Sequence, residues 1–367
     1  MGIPMGEPWF RCRDTFLANG GKAFSANYRL YGNLSARVME VLREEEGEVE
    51  VYSIDEAFIR LAVPPHRPFP WGSSLSGRVG RLTGIPVSVG IAPSRTLAKL
   101  ANLIAKKRCR GPVFDFSSCP RPDRLMADFS VHEIWGVGAK SAARLNRVGI
   151  RSALDFALAP DRRIRALVGL PGLMTATELR GTSCIGDRRP GKAKSMISSR
   201  SFGEKVVSRE GLASALARHG EKIASRLRRQ GLRCSSLNFK VFGCGERRRE
   251  ARVCSTVFDQ PTASPFRIGA AARLAAEKLF VPQAAYSKAG VWCENLSPAD
   301  CLQGTLFVPE TKDDGALMEV IDRLGSRYGE GIIHSGASLG AGATRPRAEM
   351  TSAFSPDSWE ALPTVQA

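Results

Sequence analysis

Val51-Tyr52-Ser53-Ile54-Asp55-Glu56-Ala57-Phe58 is the stretch on which the reading of this chain turns. Two adjacent carboxylates sit inside an apolar, strand-forming run. Enclosing them is costly unless a cation or hydrogen-bond donors compensate, and a divalent metal is the usual compensation. In an ideal strand neighbouring side chains point to opposite faces, so Asp55 and Glu56 converge only where a turn or bulge falls. Val49, Val51 and Ser53 alternate as a strand does, and Phe58, Ile59 and Leu61 read as its return partner. The pair therefore belongs at a hairpin tip, either as a metal site or as a solvated turn.

Upstream, Ser25 to Leu42 has helical spacing, with Tyr28, Tyr31, Leu34, Val38 and Val41 or Leu42 on one face. Residues 1–27 show Gly, Pro and Asn signals and little periodicity, and 63–74 is Pro-rich and loop-like. Downstream, Ile85 to Ile91 reads as a short β-branched strand. Ser94 then caps a helix with Leu97, Leu100, Ala101 and Ile104 as its apolar stripe. Lys99 and Lys106 share a face of that helix, either as phosphate ligands near a metal site or as an ordinary solvated face.

Residues 130–184 read as a small all-helical region. Within it, Ile134-Trp135-Gly136-Val137-Gly138-Ala139-Lys140 has the helix-hairpin-helix pattern of DNA binding without sequence preference, closed by Leu145 and Gly149-Ile150. Glycines between two helices let backbone N–H groups approach a phosphate, and the second helix adds its dipole. After a Gly-, Pro- and Lys-rich linker at 185–195, a second α/β module spans 196–298. Strands are expected near 196–202, 235–242 and 289–293, with a basic helix at 211–230 and an Ala-rich helix at 269–280. Residues 299–367 are Gly-, Ser- and Pro-rich and read as an irregular tail.

Composition narrows the function classes. A chain of 367 residues holds two or three domains. No apolar run is long enough to span a bilayer and no charged-then-apolar leader opens the chain, so neither membrane insertion nor secretion is expected. The nine cysteines form no C-x-x-C pair and the four histidines lie far apart, which argues for reduced cytoplasmic thiols rather than zinc. The net charge of +17 is uneven: residues 188–250 hold 17 Lys/Arg against 5 Asp/Glu. Such a local excess faces a polyanion, of which nucleic acid is the commonest soluble one.

Ser53–Phe58, Val87–Lys107, Ile134–Gly149 and Ser199-Arg200-Ser201-Phe202-Gly203-Glu204 occur in the order found in Y-family translesion DNA polymerases. The chain most resembles the UmuC branch, the catalytic subunit of bacterial polymerase V, from Gly2 to about residue 300. The resemblance implies an α+β right hand: a fingers segment at 1–27, palm at 28–129, helical thumb at 130–184, little finger at 196–298, and the tail. It implies translesion synthesis in SOS-type DNA repair, with two Mg²⁺ ions in the intact family site. Asp55 would bridge both ions, Glu56 would hold the one nearest the primer hydroxyl, and Lys106 would contact the triphosphate. Gly136, Val137, Gly138, Lys140 and Arg200 would contact DNA. Gln303-Gly304-Thr305-Leu306-Phe307 resembles the clamp-binding peptide of bacterial polymerases, with Gln303, Leu306 and Phe307 as anchors and Gly304 in place of the usual Leu. Implied partners are primer–template DNA, the sliding clamp, a UmuD-like subunit and a RecA filament.

The family opens with a strand carrying a further catalytic Asp and a residue that excludes ribonucleotides. Neither has a counterpart here, so the chain is expected to be N-terminally truncated, with two of three metal carboxylates. On that basis it is either a polymerase polypeptide lacking its first catalytic segment or a non-catalytic protein that binds DNA and the clamp.

Overall fold

The computed structural model describes residues 1–45, 47–61, 66–108, 111–186, 193–244, 251–300, 315–329, 331–339 and 350. The chain divides into two compact units, Met1–Arg189 with Met350–Ala367, and Pro190–Glu349. Among the described residues no helix is long and apolar enough to cross a membrane.

The first unit opens with α1 (Trp9–Ala18), which buries none of its residues, although the sequence there shows little periodicity. In α2 (Tyr28–Arg43) the Asn27 side chain caps the first turn by accepting from the Leu30 amide, and Leu30, Val38, Met39 and Val41 are buried. Strands β1 (Glu48–Val51) and β2 (Ala57–Arg60) form the expected antiparallel hairpin, with Val51 opposite Ala57. The Pro-rich stretch read as a loop instead begins α3 (Pro68–Thr83). Its prolines fall in the first turn, where an amide hydrogen would lack an intrahelical partner anyway. Next come β3 (Val89–Ile91), α4 (Arg95–Arg108) and β4 (Val113–Asp115), with β3 and β4 paired in parallel. The strand expected from Ile85 begins only at Val89, because Pro86 has no N–H to donate and β4 offers three partners. Gly90 lets α4 lie directly on β3: a Cβ there would sit 2.3 Å from the Ala98 carbonyl oxygen and the Asn102 nitrogen.

Among the described residues four more α-helices follow in this unit: α5 (Pro122–Ala127), α6 (Ala139–Arg147), α7 (Ala153–Leu158) and α8 (Asp161–Leu179), the last broken at Gly169 (φ 73°). The predicted stripe Leu97, Leu100, Ala101 and Ile104 is buried. It packs with Phe129, Ile134, Leu145, Ile164 and Leu179 in a single core, so the α/β region and the helical region share their interior. Each large side chain enclosed there contributes about 1.5–3 kcal/mol. A polar latch reinforces the seam. Fully buried Glu178 of α8 accepts from the Thr96 amide (2.7 Å) and hydroxyl (2.9 Å) with one oxygen, and from the Cys184 (3.3 Å) and Ile185 (2.9 Å) amides with the other. Thr96 lies in the first turn of α4, so the carboxylate also meets the positive end of that helix dipole.

The second unit contains β5 (Met196–Val206), α9 (Arg209–Arg229), β6 (Leu232–Cys244), β7 (Ala251–Thr262), α10 (Pro265–Leu279) and β8 (Ala285–Pro298). The strands make one antiparallel sheet in the order β5-β8-β6-β7. Helices α9 and α10 pack on each other and on the sheet, through a core that includes Leu212, Leu216, Ile223, Leu227, Phe239, Ile268 and Tyr286. Within the stretch read as irregular tail lies α11 (Gly315–Tyr328). Its apolar spacing buries Met318, and Arg228 of α9 grips Asp322 through two hydrogen bonds of 2.6 Å.

Candidate active site

The tip of the β1–β2 hairpin is Tyr52–Glu56. The Tyr52 and Ser53 amides both donate to the Glu56 carbonyl at 3.0 Å, which closes the turn. Asp55 is exposed there, and its carboxylate accepts from the Ser53 hydroxyl at 2.5 Å. Glu56 is half-buried and its carboxylate is paired with the Lys99 ammonium of α4. The tip placement expected from the sequence is therefore what the chain adopts, and each carboxylate has its own partner.

Helix α4 supplies the countercharge because residues four apart share a helix face. Arg95 pairs with Glu50 of β1 at 2.7 Å, with both side chains largely enclosed, and its guanidinium lies 5.2 Å from the Phe58 ring centroid. Lys99, one turn on, pairs with Glu56 and lies 6.0 Å from the Tyr52 ring centroid. Lys106 stands exposed two turns beyond Lys99, about 10 Å along the axis. The lysine that meets the acidic tip is thus Lys99, which the sequence placed on the right face as a phosphate ligand or a solvated cation and which the structure pairs with Glu56. Glu50 and Arg95 carried no sequence signal beyond a charged residue in a strand and one at a helix start.

Three rings tie this hairpin to the helix-hairpin-helix loop. Trp135 lies 5.5 Å from Tyr52 and 5.8 Å from Phe58 between centroids, and its indole N–H donates to the Tyr52 hydroxyl at 3.2 Å. In the loop, Gly136 has φ 86°, a conformation that L side chains rarely adopt. Gly138 is the N-cap of α6 with no side-chain cap, and Lys140 is exposed in the first turn. The first amides of a helix have no intrahelical acceptor, so this end can receive an anion. Val137 has another job: its side chain is buried and its amide is used by the Ile134 carbonyl at 3.0 Å. Arg200 belongs to the second unit, exposed on β5 opposite Ala289 of β8. Gln303, Leu306 and Phe307 lie outside the described residues.

The donor set bears on the implied metal. Asp55 and Glu56 supply two carboxylates, one of them already neutralised by Lys99. Among the described residues no three His, Cys, Asp or Glu side chains come together as a metal cage. The described residues do not complete a two-ion site.

Comparison with known proteins adds to this geometry. The family model described as impB/mucB/samB family matches residues 1–102, and that for the impB/mucB/samB family C-terminal domain matches residues 193–306. Protein UmuC of Salmonella typhimurium is 35% identical over 91% of this chain and 82% of its own length. DNA polymerase IV of Methanoculleus marisnigri is 28% identical over 65% of this chain and 66% of its own. Among solved structures, a Y-family DNA polymerase chimera of Dbh and Dpo4 superposes with a TM-score of 0.60, covering 80% of this chain and 83% of that one at 18% identity, a likeness of fold.

Proposed function

The chain belongs to the impB/mucB/samB family of UmuC-like Y-family polymerases, and on that premise we propose that it acts in translesion DNA synthesis by holding a primer–template end at the Asp55–Glu56 hairpin. One observation carries this reading. The acidic tip is bolted to a basic helix by the Glu56–Lys99 and Glu50–Arg95 pairs, and the phosphate-ready loop is joined to the same hairpin through Trp135 and Tyr52.

The chain's own groups divide the work. The amides at the start of α6, with Lys140, take phosphate oxygens of the duplex and position it without reading its sequence. Arg200 adds a second cationic contact on the other unit. Lys106 offers a point charge to the incoming triphosphate, and Lys99 fixes the orientation of Glu56. Glu56 takes the side of the primer 3′-hydroxyl, and Asp55, exposed at the tip, serves both that side and the triphosphate. Such placement supplies most of what phosphoryl transfer asks of a protein. The family reading includes a divalent cation, Mg²⁺ in this proposal, which when bound neutralises triphosphate charge. Gln303, Leu306 and Phe307 are proposed as a clamp contact, and a UmuD-like subunit and a RecA filament as further partners.

The test is template-directed extension past an abasic site by the purified chain. Asp55→Asn with Glu56→Gln should abolish extension while leaving primer–template affinity unchanged. Equal extension by both proteins would remove the hairpin from the chemistry. Tight DNA binding without extension by the unaltered protein would return it to a non-catalytic role.

A further inference from the structure

Tyr52, Phe58 and Trp135 form an aromatic cluster that stands apart from the interior of the first unit. All three are half-buried, and none belongs to the core around Leu97 and Phe129 or to that of Val38, Leu75 and Val79. Trp135 enters the cluster from the helix-hairpin-helix loop, whose backbone is held on both sides of it. Ile134 and Val137 are buried, and the Val137 amide donates to the Ile134 carbonyl at 3.0 Å. Gly136 lies so close to α8 that a Cβ there would sit 3.2 Å from the Thr175 hydroxyl oxygen. The indole therefore moves with the loop.

Tyr52 has two attachments. Its hydroxyl accepts from the Trp135 indole at 3.2 Å, and its ring meets those of Trp135 and Phe58 edge-on, at 5.5 and 5.8 Å between centroids. Its amide, beside that of Ser53, donates to the Glu56 carbonyl and closes the turn that carries Asp55. One residue thus belongs both to the loop's contact and to the acidic turn. From the start of α6 to the carboxylates the links are Gly136, Trp135, Tyr52 and Glu56, each joined to the next by a peptide bond or a hydrogen bond.

We propose that Trp135 and Tyr52 are positioning residues that couple duplex phosphates seated at the start of α6 to the closure of the Asp55–Glu56 turn. The inference rests on the translesion reading above and adds a regulation of the same site: the acidic turn tightens when DNA is on the loop. The two-state element is the turn itself, closed while the Tyr52 and Ser53 amides hold the Glu56 carbonyl and open when they release it. The closed form is the one the free chain adopts, so opening is rare. Rare opening governs amide exchange but scarcely enters the DNA affinity. The coupling therefore shows in exchange and not in affinity.

Hydrogen exchange at the Tyr52 and Ser53 amides is followed by NMR in the full chain, free and saturated with a primer–template duplex, and the duplex affinity is measured alongside. In the unaltered protein DNA should slow exchange at both amides at least about fivefold, the low end of ordinary coupling factors. Tyr52→Phe keeps the ring and loses the hydroxyl, and Trp135→Phe keeps a ring and loses the N–H. Each variant should bind the duplex within about twofold of the unaltered protein, with the slowing lost. The double variant should match either single one, because both remove the same bond. Both changes leave a ring in place, and circular dichroism confirms that the variants fold. DNA lying directly on the tip would slow exchange equally in every variant, and that result overturns the proposal. So does binding without slowing in the unaltered protein, and so does a loss of affinity in both variants, which would make Trp135 and Tyr52 part of the DNA grip. Failure of the unaltered protein to bind the duplex overturns the translesion reading together with the coupling, so the two are told apart.

Discussion

Glu178 is the residue whose replacement should damage the first unit most sharply for its size. Its side chain is fully buried and receives four donors: the Thr96 amide and hydroxyl on one oxygen, the Cys184 and Ile185 amides on the other. In Glu178→Ala all four lose their acceptor. Each buried donor left unmade costs about 1–3 kcal/mol, and those nearest the surface regain water. The expected loss is about 3–5 kcal/mol, a large fraction of a typical domain's total. Glu178→Gln separates charge from shape. Its amide oxygen can stay with Thr96, but its NH₂ then faces the Cys184 and Ile185 amides, donor against donor, for about 2–3 kcal/mol. Thr96→Val removes one hydroxyl and should cost about 1 kcal/mol. Urea unfolding gives the totals, and hydrogen exchange assigns them: protection should fall in α4 and α8 and hold in the sheet of the second unit. A second readout is the Cys184 thiol, whose pKa is raised by burial and then by the Glu178 charge. Removing that charge should make the thiol react faster with a maleimide. Glu178→Gln within about 0.5 kcal/mol of the natural protein, the range of inert surface changes, would refute the latch.

Stability should also depend on pH through His219. Its folded pKa is about 4 against the ordinary 6.5, so between those values the unfolded chain takes a proton that the folded chain refuses. Stability is then full above pH 6.5 and falls as pH drops toward 4, by roughly 3 kcal/mol in all. Denaturation midpoints measured above pH 5, clear of the lowered Glu221, should lose this slope in His219→Gln; an unchanged slope would acquit His219. Lys99→Met strips Glu56 of its cation, which should destabilise the first unit by about 1–2 kcal/mol. Added Mn²⁺ should then raise the Tm of this variant more than that of the natural protein, by binding the folded state, and equal responses would mean that the tip holds no cation. Binding to primer–template DNA should weaken steeply between about 50 and 200 mM salt and vary little with sequence; a flat salt response would remove the 188–250 excess from the interface.

What the sequence disclosed, and what it hid, follow from the range of the interactions. The hairpin around Asp55, the α4 stripe and the helix-hairpin-helix loop are local patterns, set by alternation, helical spacing and glycine positions, and all three appear in the structure. The Glu178 latch joins residues 82 positions apart, and nothing near either partner advertises it. Strand β7 escaped because its solvent face carries Val253, 50% exposed, and Val257, 76% exposed, so apolar did not mean inward. Helix α3 is hidden in the sequence because a proline that breaks a helix interior is equally at home in its first turn, where Pro68 and Pro70 lie. Spacing put Lys99 and Lys106 on one face, but only the packing of α4 against the hairpin decides which of them meets Glu56.

The strand order of the second unit sets a schedule for its folding. β5 is synthesised first, yet its sheet neighbour among the described residues is β8, with Met196 opposite Cys293. Pairings between residues so distant in sequence are slow to form, since the loop must close before the contact rewards it. The β6–β7 pair is local and can form as soon as both strands exist. β8 must then insert between β6 and β5, which completes both ladders at once. Until residues 286–293 have been made, β5 lacks its β8 partner, and its open edge is a template for wrong partners. A nascent chain stalled inside the β8 segment should therefore expose an unfinished, aggregation-prone sheet in the second unit.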